Sequence, residues 1–133
     1  MKNVLRKLVP DTTALLLRLL LGGIFVYHGS NKLVTFQEQL PYFPDLIGIG
    51  AKTSFVLVIF AELVCGALVA LGLFTRLSVI PIVFTMAIAF FIAHANDPFA
   101  QKELAFIFLL LSIVVFASGS GKYSIDQFIF KKS

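Results

Sequence analysis

Five residues that could move a proton sit in or beside the apolar stretches of this chain: His28, Lys32, Glu62, His94 and Glu103. Glu62 stands in Ala61-Glu62-Leu63, inside what reads as membrane-embedded sequence. A carboxylate at bilayer depth costs several kcal/mol and therefore faces other helices or a water-filled cavity. Burial pushes such an acid toward its neutral form and a nearby cation pushes it back, so its proton affinity can be set for proton exchange. Glu62 and His28 are accordingly the candidate proton donor and acceptor, and Lys32, His94 and Glu103 the candidate ligand contacts beside them. A second polar set, Arg18, Arg76, Tyr123 and Asp126 with Lys122, is expected at the opposite membrane face, and its first four members are further candidate ligand contacts. Structural ion pairs and snorkelling side chains are the plainer explanation there.

Other chemistries find little support. Cys65 is the single cysteine and lies in an apolar segment, so it offers neither a disulfide nor a Cys-based metal site. The Glu-x-x-His spacing of di-metal carboxylate bundles is absent, and no metal is expected. His28 and His94 belong to diagonal helices, where two imidazoles could face a haem. One such pair, with His94 at a helix end, argues against haem. No serine stands in a G-x-S-x-G elbow, and Gly119-Ser120-Gly121 is too short of glycines for a dinucleotide turn.

The elements that position these residues follow from composition. Charged residues make up 14% of 133, against roughly 25% in soluble domains, while apolar residues reach 59% with mean hydropathy +0.96. Residues 77–96 contain no Asp, Glu, Lys or Arg, and neither do 104–121. Each run is close to the ~20 residues that cross a ~30 Å hydrocarbon core. The pattern predicts an all-α, polytopic membrane protein: one domain, an up-down bundle of four helices over about 12–33, 53–74, 77–95 and 102–119. The very short Thr75-Arg76 turn makes the second and third helices antiparallel neighbours.

Between the first two helices, Pro41, Pro44, Gly48 and Gly50 rule out a continuous crossing. The apolar Phe36, Leu40, Phe43, Leu46 and Ile47 instead predict an interfacial lid over residues 34–52. An amphipathic segment over residues 2–9 precedes Pro10-Asp11-Thr12-Thr13, which supplies capping side chains for the first helix. The N-terminus resembles a signal peptide, but Arg18 interrupts its apolar run and no A-x-A-like cleavage site follows, so a retained helix is expected. Residues 120–133 read as an interfacial tail.

Seven bases, Lys2, Arg6, Lys7, Arg76, Lys122, Lys131 and Lys132, flank one face, and three, Lys32, Lys52 and Lys102, flank the other. The positive-inside rule then puts both termini in the cytoplasm. The net charge of +4 is placed at segment ends rather than in a basic, aromatic-interleaved patch, so the expected partner is the bilayer and not nucleic acid. Rise per residue puts Arg18 about 21 Å from Lys32 along the first helix, and Glu62 about 10 Å inside the outer end of the second. His28, Lys32, Glu62, His94 and Glu103 are thus expected around one outer chamber under the lid.

Three pieces of the chain together resemble the DoxX family of small four-helix membrane proteins. They are Leu17-Arg18-Leu19-Leu20-Leu21-Gly22 through Gly29 to Lys32-Leu33; Ala61-Glu62-Leu63 with Gly66, Gly72 and Thr75-Arg76-Leu77; and Glu103-Leu104-Ala105 ending in Gly119-Ser120-Gly121-Lys122-Tyr123-Ser124-Ile125-Asp126. Where the family often has Gly-Pro-Gly-Arg-Tyr-Ser-Leu-Asp, this chain has Gly-Ser-Gly-Lys-Tyr-Ser-Ile-Asp. The resemblance implies a link to quinone-reducing or quinol-oxidising complexes and to soluble or membrane redox partner proteins, and it carries over no catalytic residues. The expected function is the membrane subunit of a quinone-linked redox complex in a bacterial inner membrane, with a quinone-like ligand. A proton-coupled transporter working as a homo-oligomer and a non-catalytic anchor are the alternatives.

Overall fold

A computed structural model of the chain describes residues 2–130, with side chains from Pro10 onward. The readings placed on Lys131 and Lys132, and on the side chains of residues 2–9, lie outside the described residues. Four long helices form the bundle: α1 (Lys2–Val34), α2 (Ala51–Leu71), α3 (Thr75–Ala93) and α4 (Phe99–Ser118), and a short α5 (Ile125–Phe130) follows. Each of the four contains a stretch long and apolar enough to span a membrane. No strand occurs among the described residues. α1 and α3 each pack against both α2 and α4, which is a closed up-down ring. One end of the ring carries the connection from α1 to α2, here the lid end; the other carries the α2–α3 turn and the tail, here the tail end.

The first helix is longer than expected. It passes through Pro10 rather than starting after it, and its 33 residues span about 50 Å. A proline removes one backbone hydrogen bond and bends a helix, but it need not end one when the flanking residues stay helical. The other boundaries fall within a few residues of expectation.

Close approach of α1 to α2 is built on glycine. A Cβ on Gly22 would lie 2.5 Å from the Gly66 carbonyl oxygen and 2.6 Å from the Ala70 nitrogen, and one on Gly29 would lie 2.6 Å from the Leu63 nitrogen. Small residues that let backbones meet are the usual glue of membrane helices, because lipid is as apolar as leucine. Phe25 fills the space beside this seam, packing against Gly66 and, at 5.1 Å between ring centroids, against Phe108 of α4. Gly22→Ala is expected to destabilise the bundle by about 1–3 kcal/mol, the usual range for overpacking, read as an unfolding midpoint in mixed micelles. A shift near zero would show that the seam can open.

α2 ends at Gly72, whose φ of 73° lies in the left-handed region. The Leu73 amide donates to the Leu68 carbonyl at 2.9 Å and the Gly72 amide to the Val69 carbonyl at 3.0 Å, a Schellman closure. Two segments depart from α geometry, Phe60–Cys65 in α2 and Ala89–Ala93 in α3, both π-helical. They face the same part of the bundle, which the site below occupies.

Candidate functional site

Glu62 opens from the π-helical segment of α2 and is 5% exposed. Lys32, in the last turn of α1, donates from Nζ to both of its carboxylate oxygens, at 3.0 Å to Oε1 and 2.8 Å to Oε2. A two-oxygen contact to a cation keeps a carboxylate from standing uncompensated in an apolar setting. The Lys32 side chain is 25% exposed, so the pair lies between the protein interior and the lid end.

The pair lines a cavity of about 560 Å³ between α2, α3 and the lid. Its wall is otherwise largely apolar, with Phe43, Leu46 and Ile47 from the lid, Leu57 and Phe60 from α2, and Phe84 and Met86 from α3. The polar exceptions besides the pair are Ser54, Thr85 and His94. Thr85 is occupied, its hydroxyl donating to the Pro81 carbonyl at 2.7 Å, whereas the buried Ser54 hydroxyl has no partner among the described residues. A largely apolar cavity with a few convergent polar groups is the form most small-molecule sites take.

Both π-helical segments contribute to this wall, Phe60, Ala61 and Glu62 from one and Ala89 and Ala93 from the other. A π turn widens the helix locally and re-aims the side chains after it, and such turns are frequent at functional sites. The second closes with the His94 amide donating to the Ala89 carbonyl at 3.1 Å. His94 then leaves the helix and pairs through Nδ1 with Oδ2 of Asp97 at 2.7 Å.

The lid is one helical turn (Phe36–Gln39), a 3-10 turn (Leu40–Tyr42) and an irregular segment to Gly50. It is anchored by aromatic stacking. Phe36 and Phe43 stack on the fully buried Phe55 of α2, with centroids 5.0 and 4.6 Å away. The Asp45 carboxylate accepts from the amides of Ile49 and Gly50 at 3.1 and 3.0 Å, which shapes the entry into α2.

Of the five residues expected around one chamber, Lys32, Glu62 and His94 line it, and His28 and Glu103 do not. His28 packs its ring edge against Phe108 of α4 and against Tyr27. Gly29, one position on, faces Leu63 of α2, and 100° of helical rotation carries His28 away from α2 toward α4. Glu103 lies exposed on α4. Asp97 and Ser54 were not singled out from sequence; the spacing of Asp97 three residues after His94 was the available signal for one, and Ser54 carried none.

At the tail end the second polar set is a structural tie. Arg18 is fully buried, and its guanidinium donates to the carbonyls of Ala70 at 3.0 Å, Val69 at 3.5 Å and Tyr123 at 2.6 Å. It therefore joins α1 to the C-terminus of α2, where carbonyls lack helical partners, and to the tail. Tyr123 takes part through its backbone, and its side chain is exposed. Asp126 caps the start of α3, accepting from the amides of Phe74 at 2.7 Å and Thr75 at 3.0 Å. Arg76 donates from Nε to the Phe116 carbonyl at 3.1 Å, covering the C-terminus of α4. Arg76 and Asp126 also border a shallower hollow of about 490 Å³, where the Asp126 carboxylate and the Arg76 Nε are engaged by these backbone groups. Among the described residues no three His, Cys, Asp or Glu side chains converge as metal ligands.

The chain is similar over most of its length to several bacterial proteins. It is 32% identical to a Bacillus subtilis protein named "Putative oxidoreductase CatD", over 88% of this chain and 87% of that one. An uncharacterized membrane protein of Mycobacterium tuberculosis is 31% identical, over 88% of this chain and 81% of its own. An uncharacterized protein of Haemophilus influenzae is 32% identical, over 98% and 99%. No solved structure matches the chain. The DoxX family model matches residues 13–95, a span that takes in α1 from Thr13, the lid, α2 and α3, and hence the Lys32–Glu62 pair and His94. With four membrane-spanning helices and that match, this multi-pass membrane protein belongs to the DoxX family.

Proposed function

We propose that this protein is the membrane-embedded subunit of a quinone-linked redox complex, and that its lid-end cavity holds the quinone. The observation that carries this reading is the Lys32–Glu62 pair on the wall of an otherwise largely apolar 560 Å³ cavity. A quinone needs such a combination, a charged donor for a carbonyl oxygen and an apolar surround for its ring. Leu57, Phe60 and Phe84 line the cavity and are each about half exposed, an apolar opening between α2 and α3 by which an isoprenoid tail would reach lipid. The oxidoreductase name of the Bacillus subtilis relative points the same way. A soluble or membrane redox partner supplies two electrons, and the quinone takes two protons to become the quinol. The distribution of bases supports both termini in the cytoplasm, with the cavity toward the outer face, and the bacterial relatives support a bacterial inner membrane.

An azido-quinone photolabel on the protein in lipid nanodiscs tests the reading. Cross-links are expected within residues 43–62 and 81–94, and excess decylubiquinone should suppress them. Labelling that is confined to the tail end, or that decylubiquinone fails to suppress, would overturn the assignment. PH-gradient-driven flux in proteoliposomes without any partner would instead favour an exchanger.

A further inference from the structure

His94 sits where two environments meet. Its side chain is 39% exposed, it lines the cavity, and Nδ1 is held by Asp97, itself 40% exposed, at 2.7 Å. A carboxylate at Nδ1 makes that nitrogen the protonated one in the neutral ring and leaves the lone pair on Nε2. Nε2 has no partner among the described residues. The charged groups that share the cavity are Lys32 of α1 and Glu62 of α2; Asp97 follows α3, and on α4 Lys102 lies over the Phe90 ring and Glu103 is exposed. Two polar stations therefore line one apolar space, and a para-quinone has two oxygens.

We infer that His94 is the group that exchanges protons between water at the lid end and the ligand in the cavity, with Asp97 as its positioning residue. This rests on the quinone reading above. As the partner's two electrons reach the quinone, the imidazolium gives up its Nε2 proton: one N–H bond breaks and one O–H bond forms on the nearer quinone oxygen. The ring is left neutral with its proton on Nδ1, held by Asp97, and regains the Nε2 proton from water. The second oxygen receives its proton from the Lys32 ammonium beside Glu62, and that lysine is restored through its own exposed quarter.

The chain has two histidines, so ¹⁵N-histidine labelling with His28→Gln leaves His94 as the sole signal. In nanodiscs the neutral ring is expected to carry its proton on Nδ1, and D97N should convert it to a mixture of tautomers. Decylubiquinone should shift the Nε2 signal. Quinol formation on dithionite reduction of bound decylubiquinone should slow tenfold or more in H94Q, within the range of a lost general acid. Decylubiquinone that binds but leaves Nε2 unmoved, or an H94Q rate equal to that of the unmodified protein, overturns the His94 assignment alone. Failure of the unmodified protein to bind decylubiquinone overturns the quinone reading and this inference with it.

Discussion

Arg18→Leu is expected to lower the stability of the folded protein by roughly 3–5 kcal/mol, the range for removing one side of a buried charged network. The guanidinium is fully enclosed and bonds three carbonyls, on Val69, Ala70 and Tyr123. The Ala70 carbonyl is in the last turn of α2, where it has no helical amide partner, and the Val69 carbonyl is shared between Arg18 and the Gly72 amide. Each buried acceptor left without a donor costs about 1–3 kcal/mol. The positive charge also faces the negative end of the α2 dipole, which leucine cannot offset. Arg18→Lys should recover only part of the loss, because an ammonium is a point donor and cannot span α2 and the tail as a planar fork does. Reversible unfolding in mixed micelles measures this. A loss below about 1 kcal/mol, the size of an ordinary hydrogen bond, would mean that the tail is not tied to the bundle through this residue.

The second large effect separates fold from function at the cavity. Lys32→Met leaves a 5% exposed carboxylate without its cation and is expected to cost about 1–3 kcal/mol; this is less than for a fully enclosed pair because the lysine end of the contact is partly exposed. Glu62→Leu should cost under about 1 kcal/mol, since the partly exposed lysine can turn its ammonium toward the lid-end surface. The double variant K32M/E62L should return to within about 1 kcal/mol of the unmodified protein, as replaced buried ion pairs often do. Binding follows a different pattern. Each single variant and the double one are expected to lose the charge-assisted hydrogen bond to the ligand, worth about 1.5–3 kcal/mol and thus at least tenfold in affinity. Stability recovered in the double variant with binding still absent is the signature of a pair kept for its ligand.

Much of the architecture is legible in the sequence for a physical reason. Four apolar runs, few charges and bases at the segment ends leave only a membrane bundle as the structure that satisfies every backbone amide. Glu62 is legible as an inward-facing residue because hydrocarbon does not tolerate it otherwise, and Lys32 because, at about 100° per residue, it falls in one sector of α1 with Arg18 and His28. That same sector is wide enough to touch two neighbours, which is why His28 reads as a chamber residue and in fact turns toward Phe108. The π-helical turns leave no compositional trace, since they arise from one extra residue in a hydrogen-bond ladder rather than from residue type. The tie at the tail end was hidden for a similar reason. Arg18 and Asp126 act on backbone carbonyls and amides, which every residue offers, so the identity of their partners could not be read from side chains.

The affinity of K32M/E62L for decylubiquinone in nanodiscs, measured beside its unfolding midpoint, tests most directly whether the cavity is a ligand site. With stability equal to that of the unmodified protein, the expected result is binding at least about tenfold weaker. A double variant that is equally stable and binds decylubiquinone as tightly as the unmodified chain would show that the buried acid and its lysine serve packing alone.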